Sequence, residues 1–460
     1  MKSCNLRQKN WNIFRPYRKD EEMAEAAAAG VSRGRINQSL RVTSRDYAHP
    51  YRPFPLGLIN CIGTGFEKLG VSRPLQTELI IRNAAGAAGV DSDAVWVSND
   101  YREGLEVLVE SINSEARLNT VGKMITRGRL TSALKTRFNA EALINAEPGL
   151  LETPLSPPII ITGLQRTGTT LLHRLIAADR RFRSLSSWEV LDPLPPRKNP
   201  GVDSRMKTAR RTEKAASWMS PDFFAVHPID YQAPEEDVLL LDNSFRSTVA
   251  EAILRVPGYS SWLESVDSEP AYRFMRKLLL LFQSTESRPF WILKTPHHLE
   301  YLDVLLSVFP EARVIQGHRD PSKTLGSFLS MVSHGHGMFS DSPDPLEIGQ
   351  HWMRKCLRMT ERGMAYRNRL TMEAESRQFL DVQFSDLVTD PLSVLEDIYH
   401  FIGLDFDTEA ETSARKFIEG NDRYRYGRHD YHLSDFGFTT PGIRDAFSKY
   451  RWKYKVPDED

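Results

Sequence analysis

The stretch "IIITGLQRTGTTLLHRLI", Ile159 to Ile176, decides the fold. A continuous β-branched run leads into a glycine-containing turn, and a helical pattern follows. A run of this kind forms a strand buried on both faces. Gly163 and Gly168 carry the spacing of a phosphate-cradling loop, G-x-x-x-x-G-K-[ST], but Thr169 stands where the lysine belongs. Glycines here let successive backbone N–H groups converge as a nest, and the helix that follows adds its positive N-terminal end. Thr169 and Thr170 offer hydroxyls, and Arg166 offers a fixed charge with a planar fork of donors. A glycine-containing turn that binds nothing has a similar composition. The buried strand before it and the helix after it favour the anion-binding reading.

Working outward, the stretch is one of several alternating units. "PFWILK" ends a strand at Lys294. "HLEYLDVLLSVF" reads as a helix, "ARVIQGH" as a strand and "PSKTLGSFLSMV" as a helix. "RQFLDVQF" reads as a strand and "DPLSVLEDIYHFIGL" as a helix. Such alternation predicts an α/β fold with a central parallel sheet covered by helices on both faces, of the three-layer P-loop type. Ligands of such sheets sit beyond the carboxyl ends of the strands. Before "ETPLSPP" the pattern is helical. "YREGLEVLVESINSEARL" sets Leu105, Leu108, Val109 and Ile112 on one face. The expected organisation is a helical N-terminal region at 1–150, an α/β domain at 151–420 and a C-terminal segment at 421–460 that closes over the ligand. The moderately apolar "PFPLGLINCIGTGFEKLG", Pro53 to Gly70, reads as a docked helix in preference to one that touches a membrane.

The 460 residues hold 60 Lys+Arg and 60 Asp+Glu, so no global field points to nucleic acid, and any anion site must be built locally. Three distant cysteines show neither metal spacing nor a disulfide framework, as in a reducing compartment. No apolar run reaches the length of a transmembrane helix, and the start lacks the apolar core of a secretory signal. A cytoplasmic location is the expectation.

The missing lysine carries chemical meaning. In P-loop kinases and GTPases that lysine, with Mg²⁺, offsets the charge of the β and γ phosphates. A transferred group of lower charge needs neither. "GLQRTGTTLLHRLI" resembles the 5′-phosphosulfate loop of sulfotransferases that use 3′-phosphoadenosine 5′-phosphosulfate (PAPS), particularly the bacterial and tyrosylprotein types. "ARVIQGHRDPSKTLGSFLS" is similar to the family's 3′-phosphate element, with Arg319 at a strand end and Ser327 on the next helix. "FLDVQFSDLVTDPLSVLEDIYHFIGL" resembles the family's late strand, turn and helix.

The resemblance implies a metal-free enzyme that transfers a sulfuryl group from PAPS to a hydroxyl, or an amine, of a small acceptor, and the apolar character of two aromatic stretches points to a lipophilic one. It implies that Gln165, Arg166, Thr167, Gly168, Thr169, Thr170, Arg319 and Ser327 hold the nucleotide, with Arg428 of the late basic loop. Lys294 would stand beside the bond that breaks. Glu189 is the first candidate for general base, then His298, then His297. Glu235, Glu236 and Asp237 read as a helix N-terminus that could also line the acceptor pocket. "SWMSPDFFAVHPIDYQ" (Ser217–Gln232) and "HGHGMFSDSP" (His334–Pro343) are expected acceptor linings. The competing readings are a small-molecule P-loop kinase using ATP and Mg²⁺, and a nucleotide-binding module without turnover. The kinase words "HRD" and "DFG" are coincidental, because Leu325 stands where the catalytic-loop Asn belongs.

Overall fold

A computed structural model describes residues 42–69, 73–94, 97–194, 204–420 and 429–459. Five parallel strands form one sheet in the order β2-β3-β1-β4-β5. They are β1 (Pro158–Gly163), β2 (Phe182–Arg183), β3 (Phe290–Lys294), β4 (Arg313–His318) and β5 (Phe379–Gln383). β1 is fully buried and central. Its residue Ile161 pairs with Lys294 on one side and with Ile315 on the other. The chain crosses to β3 in one direction and to β4 in the other, and the gap between those crossovers is where such sheets bind ligands.

Alternation along the strands feeds two cores. Ile160, Leu293 and Val314 pack with the helices Glu269–Thr285 and Leu302–Val308. Ile159, Ile161, Ile292 and Ile315 face the other way, onto Thr169–Ala177, Pro391–Ile402 and Thr408–Gly420. Each strand residue thus meets helix whichever side it faces, and this is why the strands read as unbroken apolar runs. A third core joins the N-terminal helices Thr77–Ala88, Arg102–Glu115 and Thr120–Ala146 to Phe245, Leu254 and Tyr259. Leu105, Leu108, Val109 and Ile112 lie in it as the periodicity predicts. A division of the chain at 150 and 420 is our proposal, and this core draws residues from both sides of 150. Among the described residues no helix is long and apolar enough to cross a membrane.

The predicted helix at 298–309 forms as a 3-10 turn, Pro296–Glu300, followed by Leu302–Val308. Pro296 starts the turn, with Thr295 as its N-cap. His298 therefore sits inside the turn and does not cap a helix. The helix after β4 runs on to Phe339, well past the segment read from the sequence.

Candidate active site

The loop after β1 folds as a cradle. Gly163 has φ +141°, and a Cβ there would stand 2.5 Å from the Gly317 carbonyl oxygen on β4. Gly168 has φ +84°, and a Cβ would press to 2.8 Å on the Phe384 ring. Both positions are therefore closed to larger residues. Arg166, between them, holds φ +68°, a conformation that costs a non-glycine residue energy and clusters at functional sites. Thr167 Oγ1 donates to the Leu164 carbonyl at 2.7 Å and closes the loop from beneath. The helix Thr169–Ala177 starts at once, so its free N–H groups border the cradle.

β4 brings a second cation to the same place. Arg319 follows its last residue and donates to the Arg166 carbonyl at 3.1 Å. Its guanidinium lies 3.8 Å from the centre of the Phe384 ring. Arg166 in turn donates from Nε to Ser327 Oγ at 3.0 Å. Burial, and then the neighbouring Arg319, push the Arg166 guanidinium below its usual range. Two adjacent cations of this kind gain from an anion between them. Arg319 now also donates to the Glu459 carboxylate, at 2.9 to 3.0 Å. His429 reaches Ser327 at 3.3 Å and Ser330 at 2.9 Å, and burial pushes its pKa down to about 3.

A cleft of about 800 Å³ runs from this cradle. Gln165, Arg166, Gly168, Thr169, Arg319 and Ser327 give it a polar lining. Phe223, Ile229, Ile253, Met331 and Trp352 give it an apolar one. Glu236 lines it too. Its carboxylate accepts from Lys294 Nζ at 2.6 Å and from Thr295 Oγ1 at 3.2 Å. Lys294 is buried beneath the wall and also reaches Thr170 Oγ1 at 3.3 Å. A lysine, a carboxylate and two hydroxyls thus converge at the wall of the cleft.

The candidate bases separate clearly. Glu189 does not line the cleft. It closes a capping box, taking the Ser186 N–H at 2.8 Å, and pairs with buried Arg183 at 2.5 Å. His298 is wholly buried between Tyr272 (2.9 Å) and Asp237 (2.8 Å) and does not line the cleft either. His297 lines the cleft, stacked on Tyr301 at 4.6 Å, with burial holding its pKa well below the usual histidine range. Glu236, read from sequence as part of a helix N-terminus that could also line the acceptor pocket, lines the cleft. The short helix Val238–Asp242 does follow it, with Asp237 at the N-cap. His227 also lines the cleft. The stretch Ser217–Gln232 supplies apolar wall as expected, through Phe223, Val226 and Ile229. The stretch His334–Pro343 does not. His336, Phe339 and Ser340 border a separate cavity of about 70 Å³. Arg428 lies outside the described residues.

Comparison with known proteins agrees with this fold. A family model described as "Sulfotransferase family" matches residues 157–408. The omega-hydroxy-beta-dihydromenaquinone-9 sulfotransferases Stf3 of Mycobacterium tuberculosis and Mycobacterium bovis are 26% identical over 272 residues. That match covers 55% of this chain and 64% of each relative. The crystal structure of sulfotransferase STF1 from Mycobacterium tuberculosis superposes with a TM-score of 0.70 at 30% identity. It covers 82% of this chain and 99% of that one. Sulfotransferase STF9 from Mycobacterium avium gives 0.72 at 26% identity, covering 83% and 97%. With its sheet order, its loop and more than half its length matched, the chain belongs to the sulfotransferase family.

Proposed function

We propose that the protein transfers a sulfuryl group from PAPS to a hydroxyl of a lipophilic acceptor. One observation carries this reading. A single cleft is lined both by an anion cradle with two arginines and by apolar side chains, and a carboxylate paired with a buried lysine stands in its wall. The quinone acceptor in the name of the Stf3 relatives supports an acceptor of the same chemical class.

The residues present fit the nucleotide. The cradle from Arg166 to Thr170 suits the 5′-phosphosulfate, and Arg319 with Ser327 suits the 3′-phosphate. The crowded pair Arg166 and Arg319 has an anion to gain. PAPS, when bound, supplies the sulfuryl group, whose S–O bond to the phosphate breaks as an S–O bond to the acceptor forms. Lys294 offers Nζ–H to the charge that develops on the departing phosphate oxygen. Glu236 takes the proton that the acceptor hydroxyl gives up. The apolar walls hold the acceptor and keep water from this pair.

Calorimetric titration with 3′-phosphoadenosine 5′-phosphate in EDTA, beside ATP with Mg²⁺, tests the donor. Metal-free binding of the 3′-phosphorylated ligand is expected, and preference for ATP with Mg²⁺ would move the reading to a kinase. Turnover of long-chain hydroxylated acceptors tests the rest. Glu236→Gln should lower kcat by about 10²–10⁴-fold. A comparable loss in Glu189→Gln alone would transfer the base to Glu189.

A further inference from the structure

The helix Phe54–Lys68 is folded with its apolar side outward. Its inner side is small and polar. Asn60 Oδ1 accepts the Val121 N–H at 3.1 Å, and Gly63 lies so close to Thr120 that a Cβ would collide with it. Its outer side presents Phe54, Leu58, Ile62 and Phe66, each one turn from the last. They are 82%, 50%, 53% and 52% exposed. Leu69 follows at 75%. On the neighbouring helix Met124, one turn beyond Thr120, is 65% exposed. No charged residue occurs from Phe54 to Phe66. Single exposed apolar residues are ordinary, but a contiguous row of this size marks a contact surface.

Charge identifies what covers it. After Glu67, exposed Lys68 and Arg73 follow the row, and exposed Arg127 lies three residues beyond Met124. No Asp or Glu occurs from Arg117 to Ala140. Residues 1–41 carry nine Lys or Arg against four Asp or Glu. A symmetric pairing of two copies across this row would set its flanking cations against each other. An apolar row flanked by cations suits an anionic lipid surface, with the side chains below the headgroups and the cations at them.

We propose that this face docks the protein on an anionic bilayer, with the helix lying in the plane of the headgroups. The segment leading into the helix ties it to the cleft. Thr43 Oγ1 bonds the Asp430 backbone on both its N–H and its C=O, and the adjacent His429 reaches Ser327. A docked face of this kind would bring the cleft to the phase where a lipophilic acceptor dissolves.

The test uses the full chain carrying Cys4→Ser, with an environment-sensitive fluorophore on exposed Cys61. It is mixed with phosphatidylcholine vesicles, with and without phosphatidylglycerol. Flotation with the anionic vesicles and a blue shift of the probe are expected. Leu58→Ser with Ile62→Ser should weaken partition about tenfold. Trp452→Ser, which removes an equally exposed ring elsewhere, should not. The proposal is overturned if neither vesicle binds, or if the double variant partitions like the parent. It also falls if Cys61 resists labelling in the free chain, or if the chain sediments as a dimer that the double variant dissociates. The readout is partition, so failure leaves the sulfuryl-transfer reading standing, and failure of that reading leaves this one.

Discussion

The polar and apolar linings of the cleft are built in opposite ways. The lining we propose for the nucleotide comes from two strand-to-helix junctions: the run Gln165–Thr170 after β1, and Arg319 with Ser327 after β4. The lining we propose for the acceptor is assembled from Phe223, Ile229, Ile253, Met331 and Trp352, spread over more than a hundred residues and several helices. Phosphate recognition uses backbone N–H groups and fixed charges, so a short motif can specify it. An apolar chamber has no motif, because any side chain of suitable size serves once packing brings it there.

The lysine–carboxylate pair should show the largest effect. Lys294→Ala is expected to lower kcat by about 10²–10³-fold, since it removes a donor aimed at developing charge. Nucleotide affinity should change far less, because Lys294 contacts Thr170 and Glu236 and lies outside the nest. Single-turnover rates beside equilibrium titration make the distinction. A parallel collapse of binding would assign Lys294 to the nucleotide lining.

Arg319→Ala should weaken 3′-phosphoadenosine 5′-phosphate by about 30-fold, the order expected for charge-assisted hydrogen bonds. Adenosine 5′-phosphosulfate, which lacks the 3′-phosphate, should lose little. Equal losses for both ligands would mean that Arg319 acts by holding the Arg166 carbonyl, which it also touches. In the apolar lining, Phe223→Ala should raise the KM of a long-chain acceptor about tenfold, in line with the apolar area removed, and leave nucleotide affinity unchanged.

This contrast also explains what the sequence disclosed. β1, β3 and β4 are legible because burial on both faces writes them as largely apolar runs, and β5, at the sheet edge, alternates instead. β2 is two residues long and carries no period. Arg319 and Ser327 are legible by spacing within one strand–helix unit. Glu236 is legible only as a possible pocket lining, because its partner Lys294 lies 58 residues away and only the folded chain joins them. Glu189 attracted attention as a carboxylate after the loop helix. The spacing Ser186-x-x-Glu189 is nevertheless a capping-box word, and that is the role it fills. His298 gave no warning, since its burial follows from Asp237 and Tyr272, both distant in sequence. The helix Phe54–Lys68 is docked as read, but on its polar side.

The smallest effect concerns the contact between Arg319 and Glu459. A carboxylate at 2.9 Å occupies the guanidinium fork expected to receive the 3′-phosphate. Both side chains are partly exposed, so the pair is worth no more than about 1 kcal/mol. On the proposed assignment, the nucleotide displaces Glu459 to take Arg319. Glu459→Gln removes the competing charge and should tighten 3′-phosphoadenosine 5′-phosphate about threefold, with adenosine 5′-phosphosulfate unaffected. Calorimetry on the two ligands decides the sign. Weaker binding in Glu459→Gln would mean that the carboxylate orients Arg319 on the Phe384 ring for its ligand. The nucleotide lining would then depend on a residue more than a hundred positions away, as the acceptor lining already does.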